Sequence, residues 1–271
     1  MAASMRKPLA FLRRDFVASA SYKFAFISQI LGIFFSVVTF YFMSRLFGVA
    51  IVPYLAPYGG DYFSFVLTGV ALASYLQVSL TTFSGSIRDA QVFGTLEALL
   101  VTQTEIPTVI LCSSLYSFLM TSLRVIVFVV LGVLAFGMDL RNPNIVGALL
   151  ILLLTIAAFS GLGIISASFV MVMKVGNPLN WIFSNLSWVL GGVFYPVAVL
   201  PDWLQKVAYL LPLTYSLEGM RLALLKGYGM WDLMPNLLPL AFFAVVVLPL
   251  SLWTFSYAVG KAKRDGSLTH Y

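Results

Sequence analysis

Charged residues along this chain are gathered into short clusters, and long apolar runs lie between them. A helix needs about 20 apolar residues to cross a hydrocarbon layer of about 30 Å, and six runs meet that length: 24–44, 62–87, 107–136, 145–173, 178–200 and 233–260. The third holds one charge, Arg124, and has Pro107 where a first helical turn tolerates it. Runs four and five are separated by little more than Lys174, Gly176, Asn177 and Pro178, which predicts a tight helical hairpin. Pro249 inside the sixth predicts a kink. The first run is longer than the apolar part of a secretory leader and no small-x-small cleavage site comes after it, so it is expected to stay as an anchor.

Three segments carry polarity without spanning. Residues 5–20 place Met5, Leu9, Leu12 and Phe16 on one face and Arg6, Arg13 and Arg14 away from it, which predicts a helix lying in the membrane interface. After the second run, residues 90–104 predict a short helix with Thr95 as its cap and Glu97 in its first turn, where the helix dipole favours an anion. That helix suits either docking onto another protein or simple connection. Between runs five and six, residues 201–228 are apolar but divided by Asp202, Lys206, Glu218, Arg221 and Lys226. Pro212 ends a first short helix in the middle of the segment, Thr214 is positioned to cap a second, and Glu218 and Arg221 are spaced to pair at i, i+3. The expectation is a re-entrant hairpin of two short helices, packed against the bundle because backbone at membrane depth must be satisfied by protein or water.

Composition agrees with this map: 61% of residues are hydrophobic and 10% charged, with a mean hydropathy of +0.97. An ordinary soluble domain carries about 25% charged residues, so lipid is the expected solvent and a water-soluble enzyme is not expected. The net charge of +6 does not point to nucleic acid. With the N-terminus inside, ten Lys and Arg fall on the inner flanks and five on the outer loops, so cytoplasmic N- and C-termini are expected. Arg124 lies 17 residues past Pro107, or about 25 Å up a helix rising about 1.5 Å per residue. That height predicts the outer part of the membrane, where Arg124 either lines a path, pairs with Asp139, Asp202 or Glu218, or snorkels to headgroups.

Several chemistries have no signature here. The chain has one cysteine, Cys112, and one histidine, His270, too few for a Cys/His metal site. It contains no phosphate-binding GxxxxGK[ST] loop, no HExxH and no GxSxG. Acids are missing from the middle of every run, whereas ion-coupled carriers generally place ionisable groups there. Energy for uphill transport would have to come from another polypeptide.

Three segments carry a family resemblance. FGTLEALLVTQTEIP, residues 93–107, resembles the G-T-x-E-x-L segment after the second span of ABC-2 type transporter membrane subunits. NPLNWIFSNLSWVLGGVFYPVAVLP, residues 177–201, is similar to the fifth span of that family, and LLPLTYSLEGMRLALLKG, residues 210–227, resembles its P-x-(T/S)-x-x-x-E-x-x-R motif through Pro212, Thr214, Glu218 and Arg221. The chain departs from the family's T-P order near the end of the first segment, reading Thr102-Gln103-Thr104-Glu105-Ile106-Pro107.

The resemblance implies an all-α membrane protein, a single transmembrane domain over 1–271 in the inner (plasma) membrane, with six transmembrane helices, an N-terminal interface helix and an outer re-entrant hairpin between helices five and six. It implies an ATP-driven exporter permease for an amphipathic or lipid-linked substrate, whether glycan, lipid or drug, that is not itself an enzyme. Two copies would pair in the lipid, each docked on a nucleotide-binding ATPase subunit that holds the ATP and Mg. Arg88, Gly94, Thr95, Leu96 and Glu97 would form the coupling site on that subunit, and Pro212, Thr214, Glu218 and Arg221 the exit. The rival reading is a stand-alone carrier or channel, active without a partner or ATP.

Overall fold

The computed structural model describes residues 12–13, 16–17, 23–92, 106–140, 142–173 and 178–264. Eight α-helices lie in the described residues: α1 Lys23–Leu55, α2 Tyr62–Val92, α3 Ile106–Phe136, α4 Ile145–Met173, α5 Pro178–Leu190, α6 Asp202–Ala208, α7 Pro212–Leu225 and α8 Met234–Arg264. Two short 3₁₀ turns, Ala56–Tyr58 and Val197–Val199, accompany them, and the described residues contain no strand. Leu12, Arg13, Phe16 and Val17 are helical, but most of the expected 5–20 interface helix falls outside the described residues, as do the 90–104 helix beyond Val92 and the 174–177 turn.

Five helices are long and apolar enough to cross a membrane, through the stretches Ser28–Leu46, Tyr62–Asp89, Ser114–Phe136, Ile145–Met173 and Met234–Ala262. Helix is the favoured spanning form because each segment satisfies its own backbone N–H and C=O groups where water is absent. The fifth expected span, 178–200, is not one continuous helix: α5 stops at Leu190 after 13 residues, about 20 Å of rise. The chain then turns through Gly191 and Gly192, the latter with φ of +83°, and runs on to the 3₁₀ turn. A left-handed residue cannot continue a right-handed helix, so 191–200 does not extend α5.

Burial is uneven, and α2 is the axis. Seventy-eight per cent of its apolar stretch is buried, against 11% for α1. Asp61 starts α2 by accepting from the backbone N–H groups of Phe63 and Ser64. Its polar side chains find partners without water: the hydroxyls of Thr68, Ser74 and Ser84 donate to carbonyls three or four residues back, and Ser79 donates across to the Phe159 carbonyl of α4 at 2.6 Å. The main core joins Tyr75, Leu80 and Phe83 of α2 with Ile151, Phe159 and Met171 of α4, Leu217 of α7 and Phe255 of α8. Large side chains point the other way, out of the bundle, with Leu134 of α3 81% exposed and Leu46 of α1 79% exposed.

Burying apolar side chains against one another gives no net gain over burying them in lipid tails, so close packing has to hold the helices together. Glycines of α4 show how. A Cβ on Gly163 would lie 2.6 Å from the Ser79 carbonyl oxygen of α2, and one on Gly161 would lie 2.9 Å from Val247 of α8. Replacing Gly163 by Val is therefore expected to force α2 and α4 apart and to destabilise the protein by about 1–3 kcal/mol, read as a lower unfolding temperature in detergent. Unchanged stability would show that the two helices are not in contact there.

Candidate functional site

The corner built by the end of α5, the linker 191–201, α6 and α7 holds the densest set of long-range polar contacts, and Arg221 is its centre. Arg221 is 3% exposed, on the face of α7 that meets α2 and the linker. Its Nε and a terminal nitrogen donate to the Phe65 carbonyl of α2 at 3.1 and 3.0 Å. The other terminal nitrogen donates to Gly192 O at 2.8 Å, and the shared one also reaches Val193 O at 2.9 Å. The guanidinium carbon lies 3.4 Å from the centre of the Phe65 ring, adding a cation–π contact. A planar fork of donors suits this task, because it reaches several carbonyls at once.

Two glycines make the approach possible. A Cβ on Gly69 of α2 would lie 2.4 Å from Val193 O and 2.5 Å from the Arg221 guanidinium. One on Gly191 would meet the Ser187 carbonyl at 2.4 Å. The linker is also secured from its own side: the Tyr195 hydroxyl donates to the Val189 carbonyl, and Gln205 Nε2 donates to Leu200 O at 2.8 Å.

Thr214 does not cap α7. That helix begins at Pro212, with Leu211 as an N-cap residue that makes no side-chain bond, because proline at the first position removes an N–H that would otherwise need a partner. The Thr214 hydroxyl instead donates to the Ala208 carbonyl at 2.6 Å, closing the last turn of α6 onto α7. Ser216 Oγ is 2.8 Å from Thr155 Oγ1 and joins α7 to α4.

Glu218 shares α7 with Arg221, yet the expected i, i+3 ion pair is not what holds the arginine, whose N–H groups go to the carbonyls. The Glu218 carboxyl is half-buried among Tyr58, Tyr209 and Tyr215. Burial pushes its pKa up, and the Arg221 charge opposes that only partly. Burial, then the Glu218 charge, pushes the Tyr58 hydroxyl up to about 12. Burial lowers Arg221 to about 9, leaving it charged at neutral pH. The neutral tyrosines and the charged guanidinium thus surround a carboxyl that resists ionisation.

Arg124 lies elsewhere, on α3. With the Gln29 carboxamide turned oxygen-inward, that oxygen accepts from Arg124 Nε at 2.8 Å and from a terminal nitrogen as well. Its partner is thus an amide of α1 and not Asp139, Asp202 or Glu218. Of the expected coupling residues, Arg88 is exposed near the end of α2, while Gly94, Thr95, Leu96 and Glu97 lie outside the described residues. One turn from Arg88, the buried Gln91 donates to the Met171 carbonyl of α4 at 3.4 Å. Among the described residues no cluster of His, Cys, Asp or Glu could hold a metal ion.

Phe65, Gly69, Gly192 and Asn180 were not singled out by the sequence. Asn180 Nδ2 donates to Leu80 O at 3.0 Å and to Ser84 Oγ at 2.9 Å, fixing α5 against α2. The Gly191-Gly192 pair is the signal that could have found the corner, since adjacent glycines mark a break.

Five helices of membrane-crossing length and a corner clamped by a Pro-x-Thr-x-x-x-Glu-x-x-Arg motif describe a helical bundle of the multi-pass membrane class. Residues 9–225 match the ABC-2 type transporter family, and the chain belongs to it. It is also similar to Nodulation protein J of Sinorhizobium fredii (strain NBRC 101917 / NGR234), 27% identical over 173 residues, which are 63% of this chain and 65% of that protein.

The clamp generates two expected outcomes. Arg221→Leu leaves the linker carbonyls without their donor, at about 1–3 kcal/mol for each buried group left unpaired, so a clear drop in unfolding temperature in detergent is expected, with partial rescue in Arg221→Lys. Glu218 is opposite in sign. A carboxyl whose folded-state pKa lies above its unfolded value stabilises the fold fully only below the unfolded value, and that contribution is lost as pH rises through the folded one. Glu218→Gln should therefore raise the unfolding temperature at pH 8 and make no difference near pH 4, below the ordinary glutamate value of about 4.3. A destabilised Glu218→Gln at pH 8 would show that the carboxylate is paired.

Proposed function

We propose that this chain is the membrane-spanning permease subunit of an ATP-driven exporter, moving an amphipathic or lipid-linked molecule out of the cytoplasm or inner leaflet. Membership of the ABC-2 type transporter family is the observation that carries this reading. In this reading two copies pair in the inner membrane with both termini in the cytoplasm, and each rests on a separate ATPase subunit that binds ATP and Mg. The six-span count is kept by α5 together with its linker, and 201–228 re-enters the membrane from the outer side.

The physical argument for a partner is electrostatic and mechanical. Asp89 ends the apolar stretch of α2, and the chain continues directly into 93–105 with Glu97 and Glu105. An acidic short segment at the end of the most buried helix is well placed to receive a push from a soluble subunit and to pass it into the bundle. ATP-driven closure of the two ATPases would shift that segment, and with it α2, α1 and α5 across the seam between copies.

The test is assembly. A tagged full-length chain is expected to co-purify with a nucleotide-binding protein in equal amount, and Glu97→Lys to cut that recovery about tenfold, the factor ~1.4 kcal/mol represents, while membrane insertion is unchanged. Transport by the purified chain with no partner and no ATP would instead establish a stand-alone carrier or channel.

A further inference from the structure

Helix α8 has two unlike faces. Leu240, Phe255, Val259 and Ala262 enter the main core beside α2, α4 and α7. The other face is a bare stripe whose successive residues are three or four apart, the spacing that stacks side chains along one side of a helix. It begins with Phe242, Val246 and Leu250, continues with Trp253 and Tyr257, and ends with Lys261 and Arg264, all of them exposed. The Trp253 and Tyr257 rings are stacked, with centroids 6.3 Å apart and planes 22° from parallel, and are 66% and 64% exposed. No acid lies in α8. Over 261–265 the sequence sets three cations, Lys261, Lys263 and Arg264, against one acid, Asp265, a net of +2.

Charges at both ends of the apolar run fix its depth. Asp232 and Lys261 bound 28 uncharged residues, about 40 Å at about 1.5 Å per residue. Centred on a hydrocarbon layer of about 30 Å, the run leaves Tyr257 at the layer's edge and puts Lys261 and Arg264 about 7 and 11 Å beyond it. Helix side chains lean back toward the N-terminus, so both cations reach toward the polar layer, about 5–7 Å deep, that holds the headgroups. Tryptophan and tyrosine favour that same boundary. The stripe thus repeats the parts of one lipid molecule in order: apolar side chains over about 12 Å from Phe242 to Leu250, aromatic rings at ester level, and cations at phosphate level.

We propose that this stripe is a binding site for an acidic membrane phospholipid, with Lys261 and Arg264 on the headgroup, the stacked Trp253 and Tyr257 rings beside the glycerol esters, and an acyl chain along Leu250, Val246 and Phe242. Two cations that outnumber the nearby acid select a headgroup of net negative charge over a zwitterionic one. The stripe turns away from the core that α8 shares with α2 and α4, which leaves it open to lipid. The site stands whether or not the chain is driven by an ATPase.

Native mass spectrometry of the full-length protein in mild detergent tests this, with phosphatidylglycerol and phosphatidylcholine of equal chain length supplied together. The first adduct should favour phosphatidylglycerol by about tenfold, or ~1.4 kcal/mol. Lys261→Gln with Arg264→Gln should remove most of that preference, and Lys261→Arg with Arg264→Lys should keep it. Trp253→Leu with Tyr257→Leu leaves charge and apolarity in place and should lower the fraction of protein carrying the first adduct. Arg45 and Lys226 are exposed near the opposite membrane face, so Arg45→Gln with Lys226→Gln removes the same charge and should change nothing. An undiminished preference in Lys261→Gln with Arg264→Gln, an equal loss in the Arg45 and Lys226 pair, or unchanged adduct occupancy in the aromatic pair would each overturn the proposal. So would displacement of the lipid by millimolar inorganic phosphate, which would mark a site for soluble anions, or a dimer that the aromatic pair dissociates, which would put a second copy on the stripe.

Discussion

Backbone that leaves a helix inside a membrane has to be given hydrogen-bond partners by the protein itself, and in this chain one guanidinium ties that break to the central helix. Helix α5 ends at Leu190, and the carbonyls of Gly192 and Val193 both accept from Arg221. The same group reaches the Phe65 carbonyl of α2, so the broken segment and the central helix share a donor set. Remove it and the linker, α7 and α2 lose their common point. The cost of burying the charge is set against four hydrogen bonds and a ring face, which together explain why a lone arginine is tolerated at so enclosed a position.

Around that point the bundle is held by close approach more than by apolar burial. Gly161, Gly163 and Gly69 bring α8, α2 and the linker to contact distances that any side chain would forbid. Hydroxyls of α2 and α4 are spent on carbonyls, within a helix or across to the neighbour, so that few polar groups face lipid. Helices α1 and α3 stand outside this tight group with most of their surface bare. That arrangement leaves room between them for a cavity at Arg124.

Much of the bundle was legible in the sequence because lipid imposes a simple rule on length and charge. The starts and ends of α2, α3, α4 and α8 fall within a few residues of the charge-free runs. The same rule does not see the break inside 178–200: the run carries no charge, and Gly191 and Gly192 mark where the helix stops. Spacing placed Glu218 and Arg221 on one helix, but it could not name the arginine's partners, since Phe65 lies 156 residues away and offers a carbonyl that no side-chain pattern reports. Thr214 has the chemistry of a cap and lost that place to Pro212, whose missing N–H needs none. For Arg124, spacing could offer acids as partners but not the uncharged Gln29 amide of α1.

Helix α2 runs unbroken from Tyr62 to Val92. Arg221 grips it at Phe65, near one tip, and the acidic segment beginning at residue 93 leaves from the other, so roughly 40 Å of rigid rod, at about 1.5 Å per residue, separate the two. That rod is held at both ends, by Arg221 at Phe65 and by Gln91 on the Met171 carbonyl of α4, and it is unbroken between them. It therefore moves as one lever: displacing either end tilts the whole, and the linker carbonyls that share the arginine move with it.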